Sequence, residues 1–168
     1  MSKAISRRLV LTVSLVALPG PANPDPRPVE VPAPQSDPRT VRIQTYFQHY
    51  ECPAADLAAD FVLAADRHKL DWRLLPAISM IESAGGKGFM NNNIFGWDNC
   101  RVKFSSVRAG VYIVAEQLAT SGRYRAKTVP DLLRTYNPVP GYGERVRSVM
   151  RELGPAEVST PKFQSAGR

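Results

Sequence analysis

Two cysteines and two histidines in 168 residues leave little material for a metal centre or a disulfide scaffold. His49 and His68 lie 19 positions apart and lack metal-ligand spacing, so neither a metal nor a cofactor is expected. An HExxH element, a phosphate-binding glycine loop and a nucleophile elbow are also missing, which argues against zinc-peptidase, nucleotide-binding and α/β-hydrolase chemistry. The most apolar run, Leu9 to Leu18, has ten residues, about half of what a membrane-spanning helix requires. Basic residues outnumber acidic ones by 22 to 15, yet no Lys/Arg block is interleaved with aromatics, so nucleic acid is not expected as a partner.

What is present falls into unequal parts. Lys3, Arg7 and Arg8 precede the apolar decamer, and Gly20 and Ala22 supply small residues after it. That is the pattern of a secretory signal peptide cleaved after Ala22; an uncleaved anchor or a short core helix are the alternatives. Removing residues 1–22 leaves 19 cations against 15 acids, and the mature chain is expected in the periplasm, the cell envelope or the medium, with no membrane segment left. Residues 19–40 hold eight of the fifteen prolines, so residues 23–40 read as a disordered, semi-extended tether. Gly154-Pro155 closes the last periodic segment and opens a polar tail, 154–168. The expected folded unit is therefore residues 41–153, monomeric and without internal repeats.

Within it the apolar spacing is helical. Pro53 suits a first helical position, with a stripe from Leu57 through Ala65 up to about His68. Asp71 is a candidate N-cap for a second helix, Trp72 to about Ala84, ended by Gly85-Gly86 and irregular around Pro76. Residues 87–104, rich in Gly, Asn and Asp, predict a loop with a short hairpin pairing Asn93–Trp97 with Arg101–Phe104. Ser105 or Ser106 opens a third helix carrying Val111, Val114, Ala115 and Leu118. Thr128 opens a fourth to about Tyr136, and a fifth runs over about 144–153. The fold class is mainly α (α+β): a helical domain with a small loop or hairpin lobe.

One residue breaks the pattern. On a wheel of about 100° per residue, Glu82 falls between Ile78 and Leu75, inside the apolar sector. It also occupies the last helical turn, where the dipole disfavours an anion. Burial and dipole both favour the neutral acid, the state a general acid needs at neutral pH. A glutamate at this register also has the option of curling past the glycines into water.

Leu70-Asp71-Trp72-Arg73-Leu74-Leu75-Pro76-Ala77-Ile78, followed by Ile81-Glu82-Ser83, resembles the catalytic helix of the lysozyme-like superfamily. Asn91-Asn92-Asn93-Ile94-Phe95-Gly96-Trp97 is similar to the Asn-Asn-x-Phe-Gly element of the endo-β-N-acetylglucosaminidases of bacterial autolysins. Phe104 to Gly110 resembles the segment that opens that family's next helix. Tyr136-Asn137-Pro138, with Tyr142 and Val146, is similar to the Tyr-Asn motif of soluble lytic transglycosylases. The resemblance spans about residues 53–153 and implies a lysozyme-like fold acting on the glycan strands of peptidoglycan, with hydrolysis of the glucosaminidase type or transglycosylation as the alternative reactions. It implies Glu82 as catalytic acid and Tyr136 as an active-site hydroxyl. For substrate contacts it points to Ser83, Asn93, Phe95, Trp97, Asn137 and Tyr142.

The chain also departs from both patterns. The Gly-Leu-Met-Gln-type element of transglycosylases is replaced by the asparagine-rich loop, and no acid occurs between Glu82 and Asp98. Asp98 is the nearest candidate in sequence for the second carboxylate of a two-carboxylate glycosidase, though Asp98-Asn99 is also ordinary turn chemistry. A domain that binds glycan without cleaving it is the alternative the missing carboxylate raises. Cys52 and Cys100, an even pair in an exported chain, are a candidate disulfide.

Overall fold

The computed structural model describes residues 36–158. The signal-peptide segment, most of the proline-rich stretch and the end of the tail lie outside the described residues. Helix α1, Pro38–His49, begins inside the expected tether: Asp37 is its N-cap, accepting from the Arg39 backbone, and Pro38 fills the first helical position. A 3₁₀ segment, Pro53–Leu57, leads into α2, Ala58–His68. Then follow α3, Leu74–Ser83; α4, Val107–Thr120; α5, Val129–Tyr136; and α6, Tyr142–Leu153. The class is mainly helical. No strand occurs among the described residues, and none of their helices is long and apolar enough to cross a membrane.

The caps explain the boundaries. Ser106 accepts from the Ala109 backbone at 3.0 Å and Thr128 from Asp131, as expected for α4 and α5. Helix α3 starts two residues later than expected. Asp71 instead bonds the Arg73 backbone at 3.0 Å, and Pro76 thereby falls in the first turn, where its missing N–H removes no intrahelical bond. The expected tail is shorter than residues 154–168, because Arg73 donates to the Gly154 carbonyl and the Trp72 indole to that of Ala156.

The core is assembled from α2 against α4 and α3 against α6, with α1 crossing α2. Phe47, Phe61 and Phe95 meet edge to face, 5.8 and 6.4 Å apart, and join α1 and α2 to the loop after α3. Of the ten residues of α3, seven are buried. One buried carboxylate belongs to this packing: Asp60 on α2 accepts from Arg108 at 2.8 Å and from the Tyr112 hydroxyl at 3.0 Å on α4. Asp60→Ala leaves the half-buried Tyr112 hydroxyl without its acceptor, while the exposed Arg108 turns to water, and is expected to cost about 1 kcal/mol. The check is a lower urea midpoint with an unchanged slope.

The predicted hairpin is not formed. Within the expected first arm Ile94, Phe95 and Trp97 lie in turns and Gly96 takes a left-handed conformation, so residues 93–97 are not extended and cannot form a ladder. Side-chain amides replace the ladder. Asn91 donates to the Cys100 carbonyl and Asn92 to that of Phe104, both at 2.9 Å, so the two arms still run together. The candidate disulfide is not formed either: both cysteines are free thiols. Cys52 is buried against Gly85, where a Cβ would stand 2.6 Å from its own, and its Sγ faces Met80.

Candidate active site

Helix α3 ends abruptly after Glu82. Ala84 takes the left-handed conformation, followed by Gly85 and Gly86 at positive φ. The buried Ser83 hydroxyl donates to the Ser79 carbonyl and accepts from the Gly86 N–H, each at 3.0 Å. Ser83, expected as a substrate contact, is buried here with its hydroxyl engaged on both sides, and it fixes the helix end.

The Glu82 side chain is half-buried rather than curled into water. Its Oε1 accepts from the Tyr142 hydroxyl at 2.7 Å. Its Oε2 lies against Gly96, where a Cβ would stand at 2.6 Å; Gly96 also holds φ +63°, a conformation natural to glycine. Burial pushes the Glu82 pKa above the ordinary carboxyl range. The Tyr142 hydrogen bond and the nearby Arg145 charge oppose this only in part. Tyr142→Phe removes an interaction that favours the ionised form, so the Glu82 pKa should rise further. Carbon-detected NMR titration of that carboxyl checks it; an unchanged or lower midpoint contradicts the assignment.

The two tyrosines exchange expected roles. Tyr142, expected at the glycan, is buried and stacks on Tyr136 with centroids 6.1 Å apart and planes 9° apart. Tyr136, expected beside the acid, donates instead to the Phe95 carbonyl and so ties α5 to the loop. Burial, and then the Glu82 charge, hold its pKa well above the usual phenol value. The intervening turn at Asn137–Gly141 decides which ring reaches the carboxyl. There Asn137 Oδ1 accepts from the Val139 N–H at 3.1 Å.

Beside Gly96 a cleft of about 400 Å³ opens between Trp97, Tyr124 and Tyr136, with Asp98, Asn99, Arg123 and Pro138 on its walls. Trp97 packs against Tyr124 and Tyr136 at 5.6 and 5.7 Å and stays half-buried. A second hollow of about 300 Å³ adjoins it at Pro138 and is lined by Asn137 and Gly141. Glu82 does not line the cleft itself; Gly96, which touches it, does. Asn93 and Phe95 are corrected to structural roles. Asn93 is buried, donating to the Trp97 and Val102 carbonyls and accepting from the Trp97 N–H at 2.9 Å. Phe95 is fully buried in the aromatic core.

Asp98 is exposed on the cleft rim and paired with Arg101 at 2.6 Å. No carboxylate figures among the groups that act on Glu82. Among the described residues no group of three His, Cys, Asp or Glu side chains is placed to hold a metal ion. No family model, curated protein or solved structure matches the chain.

The arrangement thus offers one carboxyl whose pKa burial raises and, beside it, an aromatic cleft with Asn99 and Arg123 on its walls. The sequence reading did not single out Tyr124, Arg123, Arg145 or the contact role of Gly96. Tyr124 and Arg123 sit in a non-periodic connection, where hydrophobic spacing carries no signal. Arg145 was legible only as three residues after Tyr142, on the same helical face.

Proposed function

We propose that the protein is an exported glycosidase that cleaves β-1,4 bonds between N-acetylglucosamine and N-acetylmuramic acid in peptidoglycan strands. The observation that carries this reading is Glu82: a half-buried carboxyl with a raised pKa, oriented by Tyr142 and pressed against the glycine that walls an aromatic cleft. Such a group suits protonation of a glycosidic oxygen while oxocarbenium character develops on the sugar. Trp97 and the tyrosines offer flat apolar faces to sugar C–H surfaces, and Asn137 offers an amide.

Glucosaminidase-type hydrolysis is the first reading because the asparagine–aromatic loop resembles that family. Lytic transglycosylation is the second. It is favoured by the solitary carboxyl, because an internal sugar hydroxyl as nucleophile dispenses with a carboxylate to activate water. Mass spectrometry of digested, purified strands separates them. Free N-acetylglucosamine reducing ends are the expected product, 1,6-anhydro-muramyl ends identify the transglycosylase, and strands bound but left intact identify a non-catalytic glycan-binding domain.

A further inference from the structure

Of the twelve arginines among the described residues, five (Arg42, Arg67, Arg123, Arg125 and Arg145) form no ion pair, and of these Arg123 and Arg145 lie against the tyrosines around Glu82 and the cleft. Arg39, Arg73, Arg101, Arg108, Arg134, Arg147 and Arg151 all sit in ion pairs. Arg145 forms none among the described residues, although its helix carries Glu144 and Glu152. It is exposed, and its guanidinium lies over the Tyr142 ring, 5.9 Å from the centroid, while that ring's hydroxyl holds Glu82. Its Nη1 comes within 3.9 Å of where a Cβ on Gly141 would be, beside the hollow that adjoins the cleft.

Arg123, on the wall of the cleft, is also exposed and lacks an acidic partner among the described residues. It lies 5.6 Å over the Tyr124 ring and donates only to the Thr135 carbonyl. The one acid on the cleft wall, Asp98, is already engaged by Arg101.

For a general acid this placement is otherwise unfavourable. A free cation next to Glu82 stabilises its ionised form and works against proton donation. The arrangement makes chemical sense when an anion arrives with the ligand and takes up the guanidinium, which pairs with carboxylates in a planar, two-pronged geometry. Glycans offer such an anion where a sugar carries a free carboxyl substituent, as the lactyl group of a muramyl residue does once its peptide has been removed. A neutral N-acetylglucosamine polymer carries none.

We propose that Arg145 is a specificity-determining residue that binds a carboxylate substituent of the glycan next to Glu82, with Arg123 placed to engage a second one on the cleft wall, so that the site selects carboxylated over neutral strands. This rests on the glycan reading of the site. It extends that reading by naming which residue distinguishes acidic strands from chitin-type ones.

The test uses the full chain with Glu82→Gln, expected to slow turnover enough for binding to be read. Binding is measured for two probes, peptide-free strands with free lactyl carboxylates and neutral N-acetylglucosamine oligomers of equal length. Adding Arg145→Gln should weaken the carboxylated probe about tenfold more than the neutral one. Arg145→Lys should restore part of that difference, because it keeps the charge and loses the fork. Added salt should weaken only the carboxylated probe. Equal weakening of both probes, or none of either, overturns the assignment while leaving glycan binding standing. If neither probe binds and the wild-type protein cleaves neither, the glycan reading itself fails and takes the inference with it.

Discussion

Replacing Glu82 with glutamine is expected to lower glycan cleavage by about 10²–10⁴-fold, the range that a positioned general acid contributes. Glutamine keeps the shape and still accepts from the Tyr142 hydroxyl, so only the transferable proton is lost. The same substitution should change stability in the opposite direction. The Glu82 pKa is raised in the folded state, chiefly by burial, so the folded protein holds the proton more tightly than the unfolded chain. Stability is then complete below the unfolded carboxyl pKa, about 4.3, and is lost as pH rises through the folded value. At neutral pH Glu82→Gln should therefore stabilise the fold, on the order of 1 kcal/mol, a gain kept small because the carboxyl retains contact with water. Thermal denaturation at neutral pH should show a midpoint a few degrees higher, and the two proteins should converge in acid. An active, unaltered variant would remove Glu82 from the chemistry.

Gly96→Ala should harm both fold and activity. Two effects act together at this position. The backbone holds φ +63°, which costs a residue with a Cβ about 1–2 kcal/mol. The new methyl would also stand 2.6 Å from Glu82 Oε2, so either the loop or the carboxyl has to move. Displacement of a reacting group by about 1 Å costs on the order of a hundredfold in rate. The expected result is a destabilised but folded protein with about 10²-fold lower turnover and weakened Tyr142–Glu82 contact. Circular dichroism and denaturation follow the fold and its stability, a product assay follows turnover, and the carbon-detected NMR shift of the Glu82 carboxyl follows its contact with Tyr142. A variant that loses stability but keeps full turnover would show that the Gly96 contact does not position the acid.

Much of this fold can be read from local chemistry. Ser106 and Thr128 announce α4 and α5 by their capping oxygens, and the Val111–Leu118 stripe gives the buried face of α4. Helix α1 was hidden by the prolines that precede it. Asp37-Pro38 is an ordinary N-cap and first-position pair, and Ile43 and Phe47, four apart, are its buried contacts. Density of proline masked the role of one proline. The hairpin failed for a different reason: three adjacent amides can satisfy backbone carbonyls that a strand partner would otherwise take, and alternation of residue types does not reveal that competition.

The site was legible to the extent that it is a violation of pattern. Glu82 stands out because an acid lies among leucine and isoleucine, and helical geometry alone places it there. Its partners do not violate anything. Which of Tyr136 and Tyr142 meets the carboxyl depends on the path of the chain through Asn137–Gly141, and tyrosine spacing says nothing about that path. Gly96 contributes by having no side chain, so its contact with Glu82 exists only once the loop has folded against α3. Asn93 and Phe95 show the converse. Both belong to a motif that resembles a glycan-binding element, yet their side chains are consumed in holding the loop together.

Glu82 and the groups that act on its carboxyl are carried by different helices of unequal constraint. Helix α3 is buried along most of its length and holds Glu82 as a rigid strut would. Arg145, on α6, is exposed and joined to the carboxyl only through the face of Tyr142 and through space. Location and reactivity are thus separately adjustable. Changes along α3 are expected to cost stability, whereas exchanges at the exposed position 145 are expected to shift the Glu82 pKa and, under the proposed role, the preference for charged ligands, with little structural consequence. A lineage of such domains could drift in working pH and substrate charge on one unchanging scaffold.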